Sequence, residues 1–140
     1  MTVLQERRQQ QAEMKFSYVL KKAEDPYDVH VYYGTPEEQE AAMELRQKMM
    51  KEFPWMRFSK PRGFPVGPHP LPMWVATFGA YENRNKWAAV REFVLANNPK
   101  NLSILIHPHS EDGLVADHTQ HAFWAGEALE LRLRIFKFFS

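Results

Sequence analysis

The order strand, helix, strand, strand, helix, strand, followed by one further helix and strand, predicts an α+β fold. The expected form is a ferredoxin-like (split βαβ) two-layer sandwich with an extra C-terminal helix and strand. Residues 27 to 33 alternate in the strand sense, with Val29, Val31 and Tyr33 on one face and Asp28, His30 and Tyr32 on the other. Ala42, Leu45, Met49 and Phe53, and then Trp87, Val90, Phe93 and Val94, recur at helical spacing. Residues 103 to 106 form a short β-branched apolar run bounded by turn residues, which reads as a buried strand carrying His107 at its carboxyl end.

Residues 1 to 24 read as an N-terminal extension, because residues 5 to 13 are almost wholly polar and bury little. The single domain runs from 25 to 140. Its first strand is followed by Thr35-Pro36-Glu37-Glu38, an N-cap, a proline at the first helical position and a glutamate at the third, which predicts a capping box. Pro54 ends that helix, and residues 55 to 59 give a short second strand. Prolines 61, 65, 68, 70 and 72 then force an extended path, either as a stiff connector or as a device that fixes where His69 points. Residues 73 to 78 are a third strand, 83 to 96 a second helix broken by Asn97-Asn98-Pro99. Asp117 is an acceptable N-cap for a helix stopping near Gly126, and the alternating run 130 to 135 reads as a last strand with one wet face.

Composition narrows the function classes. A chain of 140 residues with 44% hydrophobic and 25% charged residues holds one core and not two. The net charge of +1 comes from 18 basic and 17 acidic residues spread along the chain, which argues against nucleic acid and anionic membrane as partners. No apolar run approaches the length of about 18 residues needed for a membrane span. Glu6, Arg7 and Arg8 stand where a secretory signal needs its apolar segment, so the expected location is cytoplasmic. With no cysteine, His and carboxylates are the available metal ligands.

Histidines concentrate the chemistry: four of the six lie between residues 103 and 126. In the expected sheet the strand order is fourth, first, third, second, with the first and third parallel and the fourth antiparallel to both. The end of the fourth strand, with His107, then lies beside the start of the first, with Asp28 and His30, and near the start of the third, which follows His69. Neighbouring strands are about 4.8 Å apart, so imidazoles on one face of adjacent strands can share a metal.

Val31-Tyr32 after His30, Phe53-Pro54-Trp55, Pro65-Val66-Gly67-Pro68-His69-Pro70, Ile106-His107-Pro108 and Asp117-His118-Thr119 followed by Ala122 and Trp124 together resemble the fungal and bacterial DOPA 4,5-dioxygenase family. The resemblance runs in order from about residue 27 to 126. It implies extradiol cleavage of a catechol such as L-DOPA by non-haem Fe(II) and dioxygen, and it points at His30, His69, His107 and His118. Many bacterial members have His where Asp28 stands; His109 and His121 lie outside the motif.

On this reading His30, His69 and His107 are metal ligands and His118 is the acid/base residue, oriented by Asp117. Asp28 and Arg62 are candidate substrate contacts, Asp28 alternatively a ligand; Arg57 and Arg62 could pair with a substrate carboxylate and are alternatively solvated surface residues. Fe(II) bound by a few such groups keeps positions open for both catechol oxygens and dioxygen. Two alternatives stay open: another His-ligated enzyme such as a zinc hydrolase, since the same ligands accept zinc, and a non-catalytic small-molecule-binding homologue. A homodimer is expected if Trp74 or its neighbours, the last strand and Phe136, Phe138 and Phe139 leave apolar surface on the open sheet face.

Overall fold

In the computed structural model the described residues are 18–21 and 25–138. Most of the N-terminal extension, Phe139 and the side chain of Phe138 lie outside them. Strand β1 (Tyr27–Tyr32) leads to helix α1 (Pro36–Glu52), strands β2 (Arg57–Phe58) and β3 (Met73–Phe78), helix α2 (Trp87–Ala96), strand β4 (Ile104–Pro108), helix α3 (Leu114–His118) and strand β5 (Phe123–Ala125). The sheet order is β2-β3-β1-β4-β5, the expected ferredoxin-like order with one strand added beyond β4.

Helix α1 starts as its residues require. The Thr35 hydroxyl accepts a hydrogen bond from Glu38 N–H, while the Glu38 carboxylate accepts from Gly34 N–H at 2.9 Å, one residue earlier than in the simple capping box. Its Ala42, Leu45 and Met49, with Trp87, Val90 and Val94 of α2, pack on Val29, Val31, Trp74, Ala76, Phe78, Ile104 and Ile106 of the sheet. Each fully buried large aliphatic or aromatic side chain stabilises by about 1.5–3 kcal/mol. This packing leaves the opposite sheet face free to carry polar groups. A smaller cluster there gathers Tyr32, Met73 and Leu105 beneath Val66 and Leu71 of the proline-rich loop and Leu129 and Leu131 of the C-terminal segment.

The structure corrects the strand directions. β1 and β3 are antiparallel, with Tyr32 opposite Met73, and every other neighbouring pair is antiparallel as well. Each helical crossover joins two parallel strands that are not adjacent, β1 with β2 and β3 with β4, and interleaving those pairs makes all neighbours antiparallel. The start of β3 therefore lies at the far end of β1, and His69 reaches the site by way of the loop folding over the open face. β4 and β1 stand as expected, with Asp28 opposite His107 and His30 opposite Leu105.

The extra helix and strand exist but not where the sequence pattern put them. Gly113, at φ 96°, turns the chain into α3, so the helix starts before Asp117 and ends at His118. The added strand is the three-residue β5, too short to show a period. Residues 130–135 are not a strand: the chain from Leu133 to Phe138 is a 3-10 helix. Helix α2 begins at Trp87, after a 3-10 turn at Tyr81–Asn83.

Two parts of the dimer argument also change. Trp74 is fully buried on the helix face, its indole N–H donating to Ala42 O at 2.8 Å. Phe136 packs within the chain, 4.9 Å from His118 between ring centroids. The apolar part of the open face is thus covered by the protein's own loop and C-terminal segment. Among the described residues no helix is long and apolar enough to cross a membrane.

Candidate metal centre

Strand parity puts Asp28 and His30 of β1 and His107 of β4 on the open face. His30 Nε2 and His107 Nε2 are 3.0 Å apart, and Asp28 Oδ2 lies 3.8 Å from the first and 3.7 Å from the second. The loop brings His69 over His30, ring centroids 4.2 Å apart, and α3 brings His118 over His107 at 4.0 Å. All four histidines are buried.

Second partners settle which nitrogen of each ring is available. A carbonyl oxygen only accepts, so His107 Nδ1–H donates to Pro108 O at 2.9 Å and His118 Nδ1–H donates to Leu114 O at 2.7 Å. His30 Nδ1 faces the Met73 sulfur at 3.2 Å, a weak acceptor. In neutral rings these bonds leave Nε2 of each as a lone pair. Two such nitrogens 3.0 Å apart call for a cation or a shared proton between them.

Burial keeps the rings neutral. Loss of solvation lowers His30 well below its usual range, with the neighbouring histidines adding to the shift; the same desolvation brings His107 down to about 3 and His69 to about 4, and lowers His118. His109 goes the other way, because its Nε2–H donates to Asp28 Oδ2 at 3.0 Å and that bond raises its pKa.

The donor set is suited to a divalent metal: neutral imidazoles, one carboxylate and ring orientations fixed by outer hydrogen bonds. Asp28 and His107 are shared by two possible groups, one completed by His30 and one by His109, whose donor atoms lie within 4.8 Å of one another. Asp28 therefore sits among the imidazoles rather than at a separate substrate contact.

Two expected roles are not borne by the geometry. Asp117 is not an N-cap and does not hold His118. Its buried carboxylate accepts from Ser110 N–H at 2.9 Å and Ser110 Oγ–H at 2.5 Å, tying the end of β4 to α3. Arg62 is exposed on the loop, where its backbone N–H bonds Met73 O and its carbonyl accepts from Tyr33 OH; it does not join the histidines. Arg57 pairs instead with Asp25 at 3.0 Å.

Sequence reasoning missed Tyr32, whose hydroxyl meets His69 Nδ1 at 2.7 Å, although its parity with Asp28 and His30 was legible. It also underrated His109, and had no signal for Ser110 or for Phe136 covering His118. His121 lies apart, paired with Asp112 at 2.7 Å.

Beside His118 is a pocket of about 370 Å³ walled by Trp124, Leu129, Leu131 and Leu133, within the size range of small-molecule sites.

A protein of Botryotinia fuckeliana, described as an uncharacterized 21.2 kDa protein, is 34% identical over 119 residues, covering 79% of this chain and 63% of that protein, so this chain spans less than two thirds of its relative's length. A crystal structure from Nostoc punctiforme, described as a "putative dioxygenase", superposes with a TM-score of 0.72 at 27% identity, covering 83% of this chain and 94% of the other. The Dopa 4,5-dioxygenase family profile matches residues 27–135, and the chain belongs to that family.

Proposed function

We propose that the protein is a non-haem Fe(II)-dependent extradiol dioxygenase that cleaves a catechol such as L-DOPA at the 4,5 bond. The observation that carries this reading is the meeting of Asp28 Oδ2, His30 Nε2 and His107 Nε2 within 3.0–3.8 Å of one another, next to the His118 pocket. Two imidazoles and one carboxylate on one side of a site are the donor pattern of Fe(II) oxygenases that keep open positions.

His30, His107 and Asp28 would hold the iron, with His69 beside His30 as a further imidazole donor. The His30 group is preferred to the His109 group because His109 Nε2 is taken up by its hydrogen bond to Asp28 Oδ2 at 3.0 Å, whereas His30 Nε2 and His107 Nε2 face each other at 3.0 Å with their Nδ1 atoms engaged elsewhere. When bound, Fe(II) supplies the Lewis acidity and redox capacity that bring catechol and dioxygen to reaction. The overall change needs no external reductant: both oxygen atoms enter the product and a carbon–carbon bond beside the diol is broken.

The chain's own residues position and move protons. His118, neutral and with Nδ1–H held by Leu114 O, presents Nε2 as a base for a catechol hydroxyl and returns that proton as the ring opens. Phe136 lies against the His118 ring, and Tyr32 holds His69. Trp124 and the leucines of the pocket offer an apolar wall to an aromatic ring.

Anaerobic reconstitution with Fe(II), then addition of oxygen and L-DOPA, tests the reading. Yellow ring-opened product with matching oxygen uptake is expected. Turnover with Zn(II) alone, or no turnover of any catechol, would overturn it.

A further inference from the structure

The pocket beside His118 has a polarity that the catalytic reading leaves unused. Its wall is Trp124, Leu129, Leu131 and Leu133, and its lining also includes His118 and Glu130. Glu130 is the one carboxylate among the residues that line this pocket. A ring seated in this pocket with its diol toward His118 would carry its substituent within the same lining as Glu130.

The segment that carries Glu130 is fixed, not a loose tail. Arg132 N–H donates to Pro68 O at 2.8 Å, next to His69, and Leu129 and Leu131 pack against the Tyr32, Met73 and Leu105 cluster of the open face. The backbone that carries Glu130 is thereby anchored, and its exposed side chain lines the pocket.

We infer that Glu130 is a specificity-determining residue that selects catechols whose ring substituent ends in a cation, such as an ammonium, over those ending in a carboxylate. The inference rests on the catechol reading of the site. Arg132 and Arg134 line an adjoining hollow that shares Glu130, Leu131 and Leu133 with this pocket. They would meet an additional carboxylate only where the substituent also carries one.

Three catechols of similar size separate the terms: dopamine with an ammonium, 3,4-dihydroxyphenylacetate with a carboxylate, and 4-methylcatechol with neither. The Fe(II) protein is expected to favour dopamine over dihydroxyphenylacetate in kcat/KM. In Glu130→Gln the dopamine to 4-methylcatechol ratio should fall about three- to five-fold, the upper part of the range for one solvent-exposed ion pair. In Glu130→Lys the preference between dopamine and dihydroxyphenylacetate should reverse. Calorimetric binding of the same compounds under nitrogen gives the second readout, and the affinities should follow the same order. Ratios unchanged in both variants, in turnover and in binding, would overturn the inference. If none of the three catechols is turned over, the dioxygenase reading fails by itself, while the binding order still decides the role of Glu130.

Discussion

Lowering the pH from 7 to 5 should unfold the metal-free protein far more readily than an ordinary domain, and the cause is the buried histidine cluster. His69 and His107 have folded pKa values of about 4 and about 3, against 6.5 for an unperturbed imidazole. Because the folded values are depressed, the unfolded chain binds more protons than the native one between those limits. Stability is therefore intact above pH 6.5 and lost as pH falls toward the folded values. Each ring costs about 1.4 kcal/mol per pH unit in that window, or about 2 kcal/mol at pH 5 and about 4 kcal/mol for the pair. His30 and His118 shift in the same direction and add to the loss. His109, raised by Asp28, opposes it: its contribution is present below the unfolded pKa and lost as pH rises through the folded one. Against a typical domain stability of about 5–15 kcal/mol, the loss is large. Urea unfolding at pH 7, 6 and 5 in the presence of a chelator measures it. His107→Asn, which removes one titrating ring, should flatten the pH slope by about one proton. An unfolding midpoint that does not move between pH 7 and 5 would refute the neutral, desolvated cluster.

Other substitutions separate binding from folding. His30→Ala and His107→Ala should each abolish stoichiometric iron binding while the circular dichroism spectrum is kept, because these rings face the open side of the sheet; iron retained in both would refute the ligand assignment. In His118→Gln, iron content should stay near normal while turnover falls roughly 10²- to 10⁴-fold, the range for loss of a general acid/base; low iron would make His118 a ligand instead. Asp117→Asn should cost about 1–3 kcal/mol in chemical denaturation by disturbing the buried bonds to Ser110, since a carboxylate that accepts two hydrogen bonds is replaced by a group that must also donate. Gly126→Ala should destabilise the β4–β5 edge more severely, because a Cβ there would collide with Leu102 O at a φ of 69°; an unchanged melting temperature would contradict that geometry.

The histidine-bearing face was legible because a strand has a period of two. Once residues 27 to 33 were read as a half-buried strand, Asp28, His30 and Tyr32 had to share a face, and the matching parity of Ile104, Ile106 and His107 brought the fourth strand's histidine to them. Strand order was also recoverable from the order of elements, but direction was not read correctly: it follows from which strands each helix joins, and composition has no bearing on it. His69 reached the site although the argument that brought it there used the wrong end of β3, because the proline-rich loop crosses the open face.

What stayed hidden depends on contacts distant in sequence. Asp117 has the chemistry of an N-cap, yet the helix it was assigned to starts four residues earlier at Gly113 and its carboxylate is taken by Ser110. The alternation of Glu130 to Ile135 suits an edge strand, but β5 already occupies the edge beside β4, and the segment packs over the open face instead. That placement turns an expected dimer surface into a wall of the pocket beside His118.

The most direct test is oxygen stoichiometry in the Fe(II)-reconstituted protein. With L-DOPA under air, one dioxygen should be consumed per catechol, with no hydrogen peroxide released and an equal amount of yellow ring-opened product, and all of this should vanish in His107→Ala. Peroxide released in place of ring cleavage, or equal activity in His107→Ala, would contradict an extradiol iron site built on Asp28, His30 and His107.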